Sequence, residues 1–223
     1  NLIEAANRAR VNKYFFASSA CVYNTDFQTD PHVTALREQD AYPALAERGY
    51  GWEKLFSEML CQEYTEERGM NTYIARFHNV YGPHGTYDGG REKAPAAICR
   101  KVAEAKRLEK TSITLWGNGQ QTRSFMYIDD CIEGIERIVG NKHTMGLPLN
   151  LGSSQLVTIN DLAFETMRAA DYYLDSFSYN LLAPKGVNGR NSDNSLIRGM
   201  LDWEPMIPLS EGIKKTYDWI EKQ

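Results

Sequence analysis

Apolar positions along the chain come in short bursts whose period changes from segment to segment. Asn1-Leu2-Ile3-Glu4-Ala5-Ala6 opens a helix over residues 2–9 without a capping side chain. Tyr14-Phe15-Phe16-Ala17 is a compact apolar run of the kind that forms a buried parallel strand. Residues 24–48, rich in Asp, Thr, Pro and Glu, read as a long excursion, and such connections in compact domains tend to be functional. From Tyr50 to Arg68, Trp52, Leu55, Phe56, Met59 and Leu60 recur at helical spacing, with Gly69 as the stop. Thr72 to Phe77 is the next strand, closed by Gly82-Pro83, and Glu92 to Ala105 a helix that tolerates Pro95 only in its first turn. Ile113–Trp116 and Ser124–Ile128 are strands on either side of Gly117-Asn118-Gly119. Asp129 or Asp130 caps a helix carrying Ile132, Ile135 and Val139 and ended by Gly140. Leu147–Leu151 is a strand, and Thr158 with Asp161 forms a capping box. Residues 184–195 read as a polar loop, and Ser210 caps a last helix with Ile213, Tyr217 and Ile220 on one face. Strands alternating with helices predict an α/β fold with a largely parallel sheet.

Composition narrows the function classes. Twenty-five Lys and Arg against 29 Asp and Glu give a net charge of −4, which lacks the clustered positive charge that nucleic-acid binding needs. No apolar run is long enough to cross a bilayer, so no membrane association is expected. Cys21, Cys61, Cys99 and Cys131 are widely spaced and form no C-x-x-C pair, which favours reduced thiols in a cytoplasmic protein over disulfides or zinc. His32, His84 and His143 show no metal-ligand spacing, and no metal is expected. The chain opens on Asn1, so it reads as a fragment of a longer protein.

The sharpest chemical pattern is Ser18-Ser19-Ala20-Cys21 at a strand end, followed by Tyr50-Gly51-Trp52-Glu53-Lys54. Tyr50 and Lys54, four apart on a helix, share a face. A nearby ammonium stabilises a phenolate, so tyrosine becomes a usable base. A hydroxyl from Ser18 or Ser19 can share the same substrate oxygen, because open α/β sheets bind ligands at strand ends. The plainer alternative is a surface pair on an amphipathic helix. Likewise Cys21 fits a small buried hydrophobe, Lys93 a solvated charge at a helix start, and Arg123 and Arg190 surface salt bridges.

These motifs, with Arg76-Phe77-His78-Asn79-Val80-Tyr81-Gly82-Pro83, resemble the extended short-chain dehydrogenase/reductases over nearly the whole chain. Ser19-Ala20-Cys21, the run from Gly89 to Ala97 and Gly189-Arg190-Asn191-Ser192-Asp193-Asn194 are similar to the GDP-mannose 3,5-epimerase branch of that family. The resemblance implies a nucleotide-sugar substrate, GDP-mannose, with NAD as cofactor. Tyr50, helped by Lys54 and Ser19, would take the C4 hydroxyl proton as hydride leaves C4 for NAD. The resulting ketone acidifies the C3 and C5 hydrogens, and Cys21 and Lys93 would exchange them before C4 is reduced again. By the same resemblance Ser18, Tyr50, Lys54, Phe77 and His78 face the cofactor. Ser19, Cys21, Asn79, Lys93, Arg123 and Arg190 face the substrate, with Asp193 orienting Arg190, and the helix of Tyr50 builds a homodimer.

The dinucleotide fingerprint is missing. Gly49-x-Gly51 is followed by Lys54 where a third glycine would stand, and Gly117-x-Gly119 by Thr122. Asn24 after Tyr23 and Asn188 before Gly189 also depart from the pattern. The expected architecture is therefore the back portion of a Rossmann-like, mostly parallel sheet (residues 1–83 and 121–152) without its first glycine-rich βαβ unit. A small C-terminal α/β substrate lobe (residues 84–120 and 153–223) accompanies it. Three rivals stay open: a sugar-nucleotide 4-epimerase or 4,6-dehydratase, a non-catalytic binding module, and, remotely, a cysteine hydrolase. Lacking the turn that places a pyrophosphate on a helix N-terminus, the 223-residue chain alone is expected to bind NAD weakly. Tight binding in a calorimetric titration of this chain would refute that.

Overall fold

A computed structural model describes residues 1–32, 35–183 and 186–223. Val33 and Thr34 of the long excursion, and Pro184 and Lys185 of the expected polar loop, lie outside the described residues. Strand β2 (Thr72–Phe77) is the centre of a three-stranded parallel sheet, flanked by β1 (Tyr14–Ser19) and β6 (Pro148–Leu151). Its apolar run reflects burial on both faces. Ile74 points to α1 (Leu2–Arg8) and α2 (Tyr50–Arg68), packing with Ile3, Cys61 and Met70. Tyr73 and Ala75, one residue out of phase, join Cys131 and Ile138 of α4 (Ile128–Gly140) and Ile197 of α6 (Ser195–Leu201).

A second core gathers α3 (Ala94–Arg107), α5 (Ile159–Ala170) and α7 (Leu209–Ile220) around Leu115, Phe125, Leu162 and Ile213. Strand β3 (Asn79–Tyr81) pairs with β5 (Thr122–Tyr127), and β5 also takes β7 (Leu156–Thr158) antiparallel and β9 (Gly189–Arg190) parallel. Strand β4 (Ser112–Trp116) runs parallel to β8 (Ser176–Asn180), so the strands flanking the Gly117–Gly119 turn pair elsewhere rather than with each other. Among the described residues no helix is long and apolar enough to cross a membrane.

Local signals behaved unevenly. Helix α2 stops at Gly69 in the left-handed region (φ 63°), α3 carries Pro95 in its first turn, and the Thr158–Asp161 capping box forms in both directions. Three expectations are corrected. Neither Asp129 nor Asp130 caps α4: Tyr127 precedes it, and Asp130 Oδ2 accepts the amides of Met206 and Ile207 at 3.1 and 2.8 Å instead. Ser210 lies inside α7, which enters from Pro208. The stretch expected as a loop over 184–195 contains β9, because Gly189 and Arg190 find backbone partners on β5. The polar excursion is anchored from both ends of Leu36, whose amide donates to Asn191 O (3.1 Å) and whose carbonyl accepts the Asp193 amide (3.0 Å).

Under the sheet lies a buried ion pair. Arg76 of β2 and Glu58 of α2 are 2% and 1% exposed, and Arg76 Nε and Nη2 reach the Glu58 carboxylate at 2.7–3.1 Å. Arg76 Nη1 donates to the Glu38 carbonyl at 2.6 Å, and the Ser18 hydroxyl donates to Glu58. Removing one partner strands a charge in the interior. Glu58→Ala is therefore expected to lower unfolding free energy by about 3–5 kcal/mol in urea denaturation. Exposed pairs such as Arg137–Glu133 should cost about 0.5 kcal/mol or less.

Candidate active site

Strands β1 and β2 end at a cleft of about 530 Å³, among whose lining residues are Ser18, Ser19, Cys21, Tyr50, Lys54, Phe77, His78, Asn79, Lys93 and Arg190. Asn79 and Lys93 also line an adjoining cleft of about 460 Å³, shared with Glu92, Lys101, Trp116, Gln121 and Arg123. Residues far apart in sequence thus meet where a parallel sheet places its ligands.

The turn after β1 is held from within. Ser19 caps the short 3-10 turn Ala20–Val22, its hydroxyl oxygen accepting the Cys21 amide at 3.2 Å. That contact leaves the Ser19 hydrogen to donate, whereas the Ser18 hydrogen is committed to Glu58. Helix α2 packs its first turn against this one: a Cβ on Gly51 would collide with the Cys21 carbonyl oxygen, so glycine is what permits the approach. Lys54 Nζ donates to the Ala17 carbonyl at 2.9 Å and lies 5.4 Å from the centre of the Tyr50 ring. Tyr50 itself is 53% exposed and open to the cleft.

Cys21 is half-buried, and Arg190 Nη1 lies 3.7 Å from its sulfur. Lys93 is exposed at the N-terminus of α3. Arg123 donates to the carbonyls of Thr122 and Val187 at 2.7 and 2.6 Å. Burial, with the positive charge of Arg190 next to it, pulls Arg123 down to about 10. Asn79 is oriented by the Ser124 carbonyl at 3.0 Å. Asp193 is the exception. It lines neither cleft and does not orient Arg190; its carboxylate takes Arg37 at 3.3 Å and the Ser195 amide at 2.9 Å, which hold it below its ordinary range.

His78 sits at the cleft floor, and its protonation follows from its neighbours. Asn150 Nδ2 donates to the carbonyls of Leu36 and Asp193, so Asn150 Oδ1 is an acceptor and His78 Nε2, 3.2 Å away, carries the hydrogen. The Tyr23 hydroxyl donates to the same oxygen. His78 Nδ1 is then an acceptor, and it has no partner among the described residues. Burial, and to a lesser degree Arg190 and Arg76, push the imidazole down to about 3.

Sequence reasoning missed the residues that support this arrangement: Glu58, Gln28, Glu47 and Asn150. One signal was visible, since Tyr50, Lys54 and Glu58 repeat at four-residue spacing on one helix face. The others join the site through contacts distant in sequence.

Residues 1–152 match the NAD dependent epimerase/dehydratase family, and the chain belongs to that family. Over its full length it is 44% identical to GDP-mannose 3,5-epimerase 1 of Oryza sativa subsp. indica and to GDP-mannose 3,5-epimerase of Arabidopsis thaliana. It spans 57% of the length of each of these relatives. Among solved structures, UDP-glucuronic acid 4-epimerase from Bacillus cereus, in complex with UDP-glucuronic acid and NAD, superposes with a TM-score of 0.79 at 27% identity, covering 99% of this chain and 65% of that one. UDP-glucose 4-epimerase from Thermotoga maritima gives a TM-score of 0.81 at 21% identity over 99% of this chain and 67% of that one, a likeness of fold.

A neutral buried histidine makes folding sensitive to acid. The folded-state value lies below the unfolded one, so between about pH 6.5 and 3 the unfolded chain binds the extra proton. Stability is then lost as pH falls, by up to about 1.4 kcal/mol per pH unit from this group. His78→Phe should show a correspondingly flatter dependence in urea unfolding at pH 6.5, 5.5 and 4.5.

Proposed function

We propose that this chain carries the catalytic side chains of an NAD-dependent sugar-nucleotide epimerase that acts on GDP-mannose at C3 and C5. One observation carries the reading: a single cleft at the strand ends is lined by Tyr50, Lys54, Ser19, Cys21 and Lys93. The 44% identity to plant GDP-mannose 3,5-epimerases supports the choice of sugar nucleotide.

The residues present fit the nicotinamide end of NAD. Ser18, Phe77 and His78 line the cleft beside Tyr50 and Lys54, and His78 carries a buried Nδ1 acceptor without a partner among the described residues. When bound, the cofactor takes up and later returns the hydride at C4. Tyr50 accepts the proton of the C4 hydroxyl while the Ser19 hydroxyl donates to that oxygen, and Lys54 supplies positive charge over the Tyr50 ring. Oxidation at C4 makes the C3 and C5 hydrogens acidic. Cys21 and Lys93 then remove a proton from one face and return one to the other, inverting the centre. Arg123 and Arg190 supply guanidinium groups suited to the diphosphate, and Asn79 lies between the two clefts.

The same proposal divides the chain into a nucleotide-binding portion (1–83 and 121–152) and a substrate lobe (84–120 and 153–223), although both main cores draw residues from each portion. It makes the active form a cytoplasmic homodimer. Four free thiols suit a reducing compartment, and Trp52, Phe56 and Met59 expose an apolar stripe on α2 suited to a second copy.

Incubating the full-length enzyme, or this chain under saturating NAD, with GDP-mannose in heavy water is expected to place deuterium at C3 and C5. Exchange at neither position would exclude the 3,5-epimerase and leave a 4-epimerase or a non-catalytic module. Tyr50→Phe should lower turnover about 100-fold or more, whereas a non-catalytic module would be indifferent. Cys21→Ser should suppress exchange while leaving oxidation at C4, read as NADH absorbance in a single turnover.

A further inference from the structure

All three nitrogens of the Arg190 guanidinium have partners, drawn from three separate segments. Nε donates to Gln28 Oε1 at 2.6 Å, Nη2 is ion-paired with Glu47, and Nη1 lies 3.7 Å from Cys21 Sγ. Gln28 is fixed in turn, because its Nε2 donates to the Tyr23 and Asn24 carbonyls at 3.4 and 3.2 Å, which leaves Oε1 facing Arg190. Glu47 closes the ring, its amide donating to the Cys21 carbonyl at 3.0 Å. Gln28 and Arg190 are 1% and 8% exposed while Cys21 and Glu47 are part-buried, so the arrangement runs from the interior to the edge of the cleft.

A guanidinium gripped at Nε and at Nη2 has its third nitrogen aimed by geometry. Here the aim is the sulfur. We infer that Gln28 and Glu47 are positioning residues for the proton exchange: they clamp Arg190 against Cys21, so that the guanidinium fixes the thiol's direction and stabilises charge on it. The chemical half of this rests on the epimerase reading. In that step the sulfur, as thiolate, takes the proton on the ring carbon, and the C–H electron pair moves into an enolate with the C4 carbonyl. Returning a proton from the acid on the opposite face reverses the electron flow. Arg190 is thereby given a duty at the thiol in addition to any contact with the diphosphate. The clamp itself is a property of this chain's own side chains.

Labelling tests the clamp without turnover. Cys61, Cys99 and Cys131 are buried, and burial pushes their thiols up to about 12, 12 and 11, so Cys21 is the reactive site for iodoacetamide at pH 7.5. Mass spectrometry of the intact chain gives its labelling rate. Glu47→Ala and Gln28→Ala are each expected to slow labelling about threefold or more, in the direction of Arg190→Ala, with Glu47→Asp recovering most of the wild-type rate. Unlabelled Cys61, Cys99 and Cys131 in every variant report an intact fold. Wild-type rates in Glu47→Ala and Gln28→Ala, with Arg190→Ala alone slow, would overturn the positioning role. With NAD and GDP-mannose both saturating, Glu47→Ala should reduce deuterium entry at C3 and C5 about tenfold while C4 oxidation stays within about twofold. Unchanged deuterium entry with a raised KM would place Arg190 on the diphosphate alone and overturn the inference. If the wild type exchanges no deuterium, the epimerase reading fails, and the labelling rates still decide the clamp.

Discussion

The Arg76–Glu58 pair is the contact on which the cleft depends. It joins the central strand to α2 in the interior, where neither charge has water to fall back on. Such a pair adds little net stability over a well-packed apolar substitute, because desolvation offsets most of the attraction. What it adds is register. Glu58 lies one turn beyond Lys54 and two beyond Tyr50, so a helix locked at Glu58 cannot slide or rotate without breaking 2.7–3.1 Å contacts. Ser18 bonded to the same carboxylate ties the end of β1 to that register. From Glu58 the polar chain continues through Arg76 and Tyr23 to Asn150 and His78, so one hydrogen-bonded network underlies the cleft from β1 to β6.

The excursion between β1 and α2 makes sense as the other half of this construction. It crosses to the Asn191–Asp193 segment at Leu36, places Glu38 where its carbonyl completes the Arg76 shell, and returns at Glu47 onto the Cys21 carbonyl. A segment with little regular structure is thereby held through its backbone by groups distant in sequence. Gly51 allows α2 to close against it, and Cys21 is caught between the two.

Legibility in sequence followed the range of the interaction. Helix α2 and strand β2 have the bounds their patterns predict because period and terminators are local, although Trp52, Phe56 and Met59 of the α2 pattern are exposed. The Thr158–Asp161 box is likewise a four-residue matter. Asp130 looked like a cap by the same local logic, but the amides of Met206 and Ile207, brought in by the approach to α7, compete for its carboxylate. Strand β8, Ser-Phe-Ser-Tyr-Asn, is mostly exposed and so carries too few apolar residues to announce itself; its register with β4 defines it. The site divided in the same way. Tyr50, Lys54, Ser19 and Cys21 stand in recognisable motifs, while Glu58, Gln28 and Glu47 are ordinary polar residues until the chain folds.

Under the proposed function, charge at the junction of the two clefts is what lets an acidic protein receive an anion there. Arg123 and Arg190 are register partners on adjacent parallel strands, an unfavourable pairing for two cations. The carbonyls of Thr122 and Val187 hold the first, and Gln28 and Glu47 the second. Arg123 remains protonated at neutral pH even at about 10. The net charge of −4 is a sum over the whole surface, whereas a ligand entering beside Asn79 meets a local pair of guanidiniums whose repulsion an added negative charge would relieve. Glu47 offsets Arg190 through its ion pair and acts on Arg123 at longer range, and together with Gln28 it turns Arg190 towards the sulfur. The balance between anion attraction and thiol positioning therefore falls on a single carboxylate.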